Sequence, residues 1–196
     1  MATLLLIDLQ PDFLPGGALA VSAGDEVLAV AEELRGTHGH VVATQDWHPA
    51  DHESFASQHE GKEPGQMIDL HGLPQVLWPD HCVMGTAGAE LAIPTEDIDE
   101  IVRKGSQREV DSYSGFFDNG KRNDTGLHAY LQANDVEELV VMGLATDYCV
   151  KFTVLDALAL GYRVQVVRAG CRAVNLQPGD GENAFAEMQA AGATLV

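Results

Sequence analysis

Apolar runs of strand length alternate with helix-length segments along most of the chain. The runs predict strands at residues 3–9, 40–44, 100–103, 138–144, 163–167 and 194–196. Their apolarity is continuous rather than alternating, which is typical of strands buried on both faces of a sheet. The pattern predicts an α/β fold in which residues 1–196 form one domain, with a mostly parallel open sheet and helices on both faces in a three-layer, Rossmann-like arrangement.

Helices are predicted at residues 25–35, 125–134, 146–160 and 179–191. In the third, Val150, Val154 and Leu158 recur every four residues and form one apolar stripe that would pack on the sheet. Residues 46–94 break this rhythm, because they are rich in His, Pro, Gly and Trp and have no clear period. Long irregular segments in compact domains are usually functional or mobile. No phosphate-binding motif of the G-x-G-x-x-G or G-x-x-x-x-G-K-[ST] type follows the first strand.

Charge and cysteine content narrow the class of partner. The chain has 30 acidic and 11 basic residues and a formal net charge of −19, so nucleic acid and anionic membranes are poor partners. A small-molecule substrate is expected instead, with a monomer or a homodimer both left open. The amino terminus lacks a basic start, and Asp8 interrupts its apolar run, unlike a signal peptide. Three cysteines do not make a disulfide framework, so a reducing, cytoplasmic location is expected.

Chemistry-bearing side chains stand where predicted strands end. These are Asp8, Asp46, Lys104 and Cys149, and the carboxyl ends of parallel strands form the usual ligand crevice. A thiol needs help to ionise at neutral pH. We expect the start of the following helix and Lys104 to favour the Cys149 thiolate, and Asp8 to move its proton. Each residue alone also fits a structural role, and their joint placement favours catalysis.

A second cluster has the composition of a metal site. Asp46 and His48 are two residues apart, so on an extended segment they point to the same side, and His81 could join them from the following loop. One carboxylate and two imidazoles suit one divalent ion, with zinc favoured and manganese or iron(II) as alternatives. His52 is either a fourth ligand or a partner of a ligand.

Aromatic residues flank both clusters. Phe13 and Trp78 could sandwich a flat ring between them, and the alternative is that they are ordinary core aromatics. Asp111, Ser112 and Ser114 are assigned to a polar loop, whereas Cys82 and Cys171 are assigned to packing.

Seven segments together identify a family resemblance. They run in order from residue 4 to residue 180 and read LLLIDLQPDF, DWHPADHESF, WPDHCVMGTAGAEL, VRKG, DSYSGFFDN, GLATDYCV and VNLQPGD. The chain resembles the nicotinamidase/pyrazinamidase group of the isochorismatase-like cysteine hydrolases, and the resemblance covers nearly the whole chain. It implies an isochorismatase-like fold and a metal-dependent amidohydrolase.

The resemblance also implies a role for individual residues. The implied catalytic triad is Cys149 as nucleophile, Asp8 as general base and Lys104 as third member. The implied metal ligands are Asp46, His48 and His81, and the implied substrate contacts are the ring-sandwiching Phe13 and Trp78 with Tyr113 as a pocket wall. The oxyanion hole would consist of the backbone N–H groups of Ala145 and Cys149, after a cis peptide between Leu144 and Ala145.

The implied reaction converts nicotinamide to nicotinate and ammonia through a thioester, in NAD salvage, with pyrazinamide as a second substrate. Two related classes are disfavoured: isochorismatases replace the cysteine that this chain has at Cys149, and amidases of carbamoyl or ureido substrates lack the Asp46, His48 and His81 set. A rival from another class is a non-catalytic metal- or flavin-binding module, which the fold alone would permit.

Overall fold

Eight strands form two sheets in this computed structural model, which describes residues 2–196. The strands are β1 (Thr3–Ile7), β2 (Val41–Asp46), β3 (Met67–Leu70), β4 (Leu73–Val76), β5 (Glu100–Lys104), β6 (Glu138–Leu144), β7 (Arg163–Arg172) and β8 (Thr194–Leu195). The main sheet has the order β5-β2-β1-β6-β7-β8, and each neighbouring pair is parallel. β3 and β4 form a separate antiparallel hairpin.

Four α-helices connect these strands: α1 (Glu26–Arg35), α2 (Leu127–Ala133), α3 (Lys151–Ala159) and α4 (Asp180–Ala190). The connection from β1 through α1 to β2 steps in one direction across the sheet, whereas those through α3 and α4 step in the other. Because parallel crossovers are right-handed, α1 lies on one face and α3 and α4 lie on the other. The predicted three-layer α/β fold with a mostly parallel sheet is confirmed.

The central strands are buried along their whole length and carry continuous apolar runs because both faces of the sheet are covered. Every residue of β1 and β2 is buried. Leu5 of β1 pairs with Val42 of β2 on one side and with Val141 of β6 on the other. This accounts for the continuous apolar runs, since an alternating pattern would need one solvated face.

The structure differs from the sequence prediction in several places. β7 continues to Arg172 rather than ending at residue 167, and β1 ends at Ile7 rather than at residue 9. The irregular stretch 46–94 contains the β3-β4 hairpin, whose strands of four residues each are too short to stand out as apolar runs and whose turn places His71 and Gly72 at positive φ. The helix predicted at 125–134 starts only at Leu127, because Gly126 before it has φ +88°. The helix predicted at 146–160 begins with a π-helical turn, Thr146–Val150, before α3.

The strand order reverses direction between β1 and β6, because the chain steps from β1 to β2 one way and from β6 to β7 the other. Such a switch point opens a crevice at the carboxyl ends of the two strands. Within residues 2–196, no helix is long and apolar enough to cross a membrane.

At Gly143 in β6, the backbone of β1 approaches very closely. Its φ is +135°, and a Cβ at this position would lie 2.1 Å from the carbonyl oxygen of Ile7. We expect Gly143→Ala to lower the free energy of unfolding by about 3 kcal/mol, through backbone strain and overpacking. Gly161→Ala is the control, because φ is +95° there but nothing lies within 4 Å, and it should cost about 1 kcal/mol. Urea denaturation measures both, and equal losses would contradict the steric argument.

Candidate active site

Four strands deliver the candidate catalytic side chains to the crevice. Asp8 follows β1, Asp46 ends β2, Lys104 ends β5, and Cys149 lies in the π-helical turn after β6. Asp8 has φ +49°, a left-handed conformation that Asp adopts more readily than most residues. All four side chains are buried. The structure therefore brings together the residues that sequence analysis placed at strand ends.

Lys104 is the centre of this cluster. Its Nζ lies 2.8 Å from Oδ2 of Asp8 and 2.6 Å from Oδ1 of Asp46. It also donates to the carbonyl oxygen of Ser112 at 2.9 Å and lies 3.4 Å from Sγ of Cys149. Burial opposes the charged ammonium, but Asp46 and Asp8 raise the pKa of Lys104 well above its usual value. The cluster therefore holds one fixed positive charge between two carboxylates and a thiol.

The proton distribution in the cluster differs from the expected one. Burial raises the pKa of the Cys149 thiol well above its usual range, because Lys104 does not offset both burial and the carboxylates of Asp8 and Asp46. Lys104 lowers the pKa of the thiol, as expected, but burial and the two carboxylates outweigh it. Burial raises the pKa of Asp8 to about 6 despite Lys104. At pH 7 the thiol is protonated and a carboxylate stands near it, since Asp8 and Cys149 offer atoms within 4.8 Å of each other.

Asp8 is held by a second contact on the side away from Lys104. Thr44 donates its hydroxyl hydrogen to Oδ1 of Asp8 at 2.6 Å, and the backbone N–H of Asp8 donates to the same hydroxyl oxygen at 3.2 Å. Because both carboxylate oxygens have partners, the orientation of Asp8 is fixed, and its Oδ2 faces the lysine.

The candidate metal cluster adjoins the catalytic one through Asp46. While Oδ1 of Asp46 faces Lys104, its Oδ2 lies 3.6 Å from Nε2 of His48 and 3.8 Å from Nε2 of His81. Burial opposes the charged carboxylate, yet Lys104 and the two histidines hold the pKa of Asp46 far below its usual value. A divalent ion between these atoms would meet one carboxylate oxygen and two imidazole nitrogens, the donor set predicted from the sequence.

The histidine rings are oriented for ligation. Nδ1 of His48 lies 2.8 Å from the carbonyl oxygen of Gly105, and Nδ1 of His81 lies 2.8 Å from that of Pro79. A ring that donates from Nδ1 presents the lone pair of Nε2, as metal-bound histidines usually do. Among the described residues, Nε2 of His48 has no hydrogen-bond partner although it is buried. The residues present therefore fit a metal ion.

His52 lies beside this cluster. Its Nδ1 contacts the hydroxyl of Ser54 at 2.7 Å, whereas its buried Nε2 has no partner within residues 2–196. Ligand atoms of His48, His52 and Asp111 lie within 4.8 Å of one another. Both alternatives from the sequence, a fourth ligand and a partner of a ligand, agree with this geometry.

The pocket between the two clusters is small, and four aromatic side chains contribute to its wall. Its cavity volume is about 30 Å³. Phe13, Trp78, Tyr113, Ala145 and Cys149 line it, as sequence analysis implied for substrate contacts and for the oxyanion hole. The peptide bond between Leu144 and Ala145 is cis, as the resemblance implied. Trp78 donates its indole N–H to the hydroxyl of Tyr113 at 3.2 Å, which fixes the two rings relative to each other.

Sequence reasoning missed four wall residues, Leu19, Asp111, Tyr148 and Val174. Asp111, Tyr148 and Val174 lie inside quoted motifs, so their proximity to the site was available from the sequence, whereas Leu19 comes from a loop without a chemical signal. Asp111, Ser112 and Ser114 lie in a loop, as predicted, but all three are buried. They are part of the site rather than of a solvated surface.

The fold and the site together define an α/β enzyme of the cysteine hydrolase type, with a candidate metal centre beside the thiol. Comparison with known proteins agrees. The isochorismatase domain matches residues 2–196. Nicotinamidase from Escherichia coli is 56% identical over 200 residues, covering 98% of this chain and 92% of that protein.

Two solved structures are also similar. An Acinetobacter baumanii nicotinamidase and pyrazinamidase superposes with a TM-score of 0.96 at 39% identity, covering 100% of this chain and 95% of that one. Pyrazinamidase of Pyrococcus horikoshii in complex with zinc superposes with a TM-score of 0.81 at 34% identity, covering 100% of this chain and 98% of that one. This chain belongs to the isochorismatase domain family, and the family resemblance and the assignment as a hydrolase are confirmed.

Proposed function

We propose that this protein is a nicotinamidase: it hydrolyses nicotinamide to nicotinate and ammonia in NAD salvage, and it also hydrolyses pyrazinamide. The observation that carries the proposal is Asp46, whose two oxygens join the Cys149, Lys104 and Asp8 cluster to the His48 and His81 pair. A carboxamide carbon at the thiol and a ring nitrogen near the histidines can thus be held in one pocket. The identity of 56% to Escherichia coli nicotinamidase supports the same reaction.

In this proposal residues 1–196 act as one catalytic domain that binds a small-molecule substrate, as a monomer or a homodimer. Cysteine usage supports a cytoplasmic location, since Cys82, Cys149 and Cys171 all have free thiols.

The first half of the reaction uses the proton distribution of the cluster. Sγ of Cys149 attacks the carboxamide carbon, and its proton moves to the carboxylate of Asp8. The C–S bond forms as the carbonyl oxygen takes the electron pair of its π bond. Backbone N–H groups of Ala145 and Cys149 stabilise that oxyanion. Asp8 then gives its proton to the leaving amide nitrogen, the C–N bond breaks, ammonia departs and a thioester remains.

The second half returns the enzyme to its first state. A water molecule attacks the thioester carbon while Asp8 accepts one of its protons. The C–S bond then breaks and the proton held by Asp8 returns to Sγ of Cys149. The product is nicotinic acid, which loses its remaining carboxyl proton to solvent and leaves as nicotinate. Lys104 keeps its charge throughout, so the positive charge beside Sγ stabilises developing thiolate in both halves.

Asp46, His48 and His81 would hold one divalent ion, for which zinc is our proposal. When bound, the ion supplies a fixed positive site that orients the substrate ring. The donor set of one carboxylate and two imidazoles suits zinc, and the zinc in the similar Pyrococcus horikoshii pyrazinamidase supports the same choice. Phe13 and Trp78 hold the ring from its faces, and Tyr113 closes one wall.

Ammonia release from nicotinamide tests this function. Purified protein is assayed as isolated, after chelation, and after restoration with zinc, manganese or iron(II). We expect chelation to abolish turnover, zinc to restore it, and pyrazinamide to be hydrolysed. Benzamide is the matched control substrate, because it has the same shape without the ring nitrogen, and we expect at least about 100-fold lower kcat/KM. No ammonia from either ring amide under any metal condition would contradict the proposal.

A further inference from the structure

Asp147 is a buried carboxylate that the reaction does not use. It lies in the π-helical turn Thr146–Val150, two residues before Cys149, and only 5% of its surface is exposed. Within residues 2–196 no Lys, Arg or His nitrogen lies within 4.0 Å of the Asp147 carboxylate. The nearby cations Lys104 and Lys151 pair with other carboxylates. A buried charge without a counter-charge is costly unless hydrogen bonds satisfy it.

Two consecutive backbone N–H groups satisfy this carboxylate. Val174 donates to Oδ1 of Asp147 at 2.9 Å, and Asn175 donates to Oδ2 at 2.8 Å. These donors belong to the loop 173–179, which connects β7 to α4. Hydrogen bonds to a charged acceptor are stronger than those between neutral groups. The turn that carries the nucleophile is therefore fastened directly to this loop.

The side chain of Val174 is what this fastening places at the active site. Val174 lines the catalytic pocket together with Ala145 and Cys149. The next residue, Asn175, has φ +54° and accepts a hydrogen bond from the backbone N–H of Gly181 at the start of α4, at 2.9 Å. The loop is thus held at one end by the nucleophile turn and at the other by α4, with Val174 at the pocket wall.

We propose that Asp147 is a positioning residue that fixes Val174 as a wall of the pocket and thereby sets how large a ring carboxamide the site accepts. This inference rests on the proposed function in so far as it concerns substrates. Because Val174 lines the pocket beside Ala145 and Cys149, a wall held in place would collide with a methyl group on the ring edge that faces it. If Val174 moves away from the pocket, kcat/KM should increase more for the methylated ring than for nicotinamide.

The test compares kcat/KM for ring-methylated nicotinamides with that for nicotinamide, in Asp147→Asn, Val174→Ala and a control. Asp147→Asn keeps the size of the side chain but replaces one acceptor by an NH2 group. The control is Asp180→Asn, because Oδ2 of Asp180 accepts the backbone N–H of Gln177 at 2.8 Å in the same loop, and Gln177 does not line the catalytic pocket.

The specificity ratio is kcat/KM for a methylated nicotinamide divided by kcat/KM for nicotinamide. We expect this ratio to rise about tenfold for at least one methylated nicotinamide in Asp147→Asn and in Val174→Ala, as one methyl group in an apolar pocket commonly changes specificity by that much. KM for nicotinamide should rise about tenfold in Asp147→Asn while kcat changes less than about threefold. The ratio should stay within about twofold in Asp180→Asn. The ratio does not depend on the fraction of folded enzyme, so a purely structural loss in Asp147→Asn would leave it unchanged and would overturn the inference.

Alkylation of Cys149 gives a second readout that needs no amidase activity. We expect the rate with N-benzylmaleimide relative to that with N-methylmaleimide to rise at least about threefold in Asp147→Asn and Val174→Ala but not in Asp180→Asn. An unchanged ratio in Val174→Ala would show that Val174 is not a limiting wall, and would overturn the inference even if Asp147→Asn failed to fold. Wild-type protein that releases no ammonia while the alkylation ratios shift as expected would contradict the proposed function alone.

Discussion

Cys149→Ala is expected to lower the rate of ammonia release from nicotinamide by at least about 10⁴-fold, the scale on which loss of a nucleophile acts in other hydrolases. Cys149 is the cysteine that lines the pocket, and its Sγ stands 3.4 Å from the lysine ammonium. Without Sγ no thioester can form, and the remaining groups only bind the amide. Measurement of kcat on metal-loaded protein decides this, and a variant that keeps more than a hundredth of wild-type turnover would rule out the thioester route.

Cys171→Ala provides the matched control. Cys171 lies in β7, where its thiol donates to the carbonyl oxygen of Val167 at 3.4 Å, outside the pocket. We expect its turnover to stay within about twofold of wild type. Iodoacetamide should add one equivalent to wild type and to Cys171→Ala but none to Cys149→Ala, because Cys149 lines the pocket, whereas Cys82 and Cys171 are buried and do not line it. Equal labelling of the two variants would contradict the assignment of Cys149.

The clusters could be predicted because parallel strands carry positional information. A continuous apolar run marks a strand buried on both faces, and the polar residue at its carboxyl end must then lie at the crevice. Asp8 and Asp46 each stand at the end of such a run. Lys104 ends the partly buried edge strand β5, and all three were found without knowledge of the strand order. The pairing of Asp46 with His48 followed in the same way from alternation on an extended segment.

Properties that depend on several groups at once could not be predicted. The Cys149 thiol was expected to ionise beside Lys104, but its pKa also depends on burial and on the nearby carboxylates of Asp8 and Asp46. Leu19 and Val174 reach the pocket from loops whose course is set by tertiary contacts, such as the two N–H groups bound by Asp147. No local pattern encodes such contacts.

Lys104→Met is expected to abolish activity and to destabilise the fold. Its side chain is completely buried, and its removal leaves the carboxylates of Asp8 and Asp46 without their shared cation. Breaking a buried ion pair by removing one partner typically costs about 3–5 kcal/mol. We expect a loss of that size in the free energy of unfolding of chelator-treated protein at pH 7, measured with urea, and at least about 10³-fold lower ammonia release from metal-loaded protein.

The pH dependence identifies the cause of this loss. In wild-type protein Lys104 lowers the pKa of Asp46, so the contribution of Asp46 to stability is present above the ordinary carboxyl pKa and is lost in acid. Asp8, whose pKa is raised to about 6 by burial, acts in the opposite direction, but Lys104 limits that rise. Without Lys104 the buried carboxylates bind protons more readily in the folded than in the unfolded state. The stability of Lys104→Met should therefore rise as the pH falls from 7 to 5, and the difference from wild type should narrow.

Lys121→Met tests whether the loss of stability in Lys104→Met comes from burial of the ion pair or from ion pairing alone. Lys121 pairs with Asp156 at the same 2.6 Å distance that joins Lys104 to Asp46, but 63% of the Lys121 side chain is exposed. Asp156 is buried, but water reaches the ammonium of Lys121, and pairs screened in this way typically contribute about 1 kcal/mol; Lys121 also lies outside the pocket. Its replacement should leave turnover unchanged and cost at most about 1 kcal/mol. If the two variants were destabilised equally, the buried cation would not be what holds Asp8 and Asp46 together, because distance alone would then account for both losses.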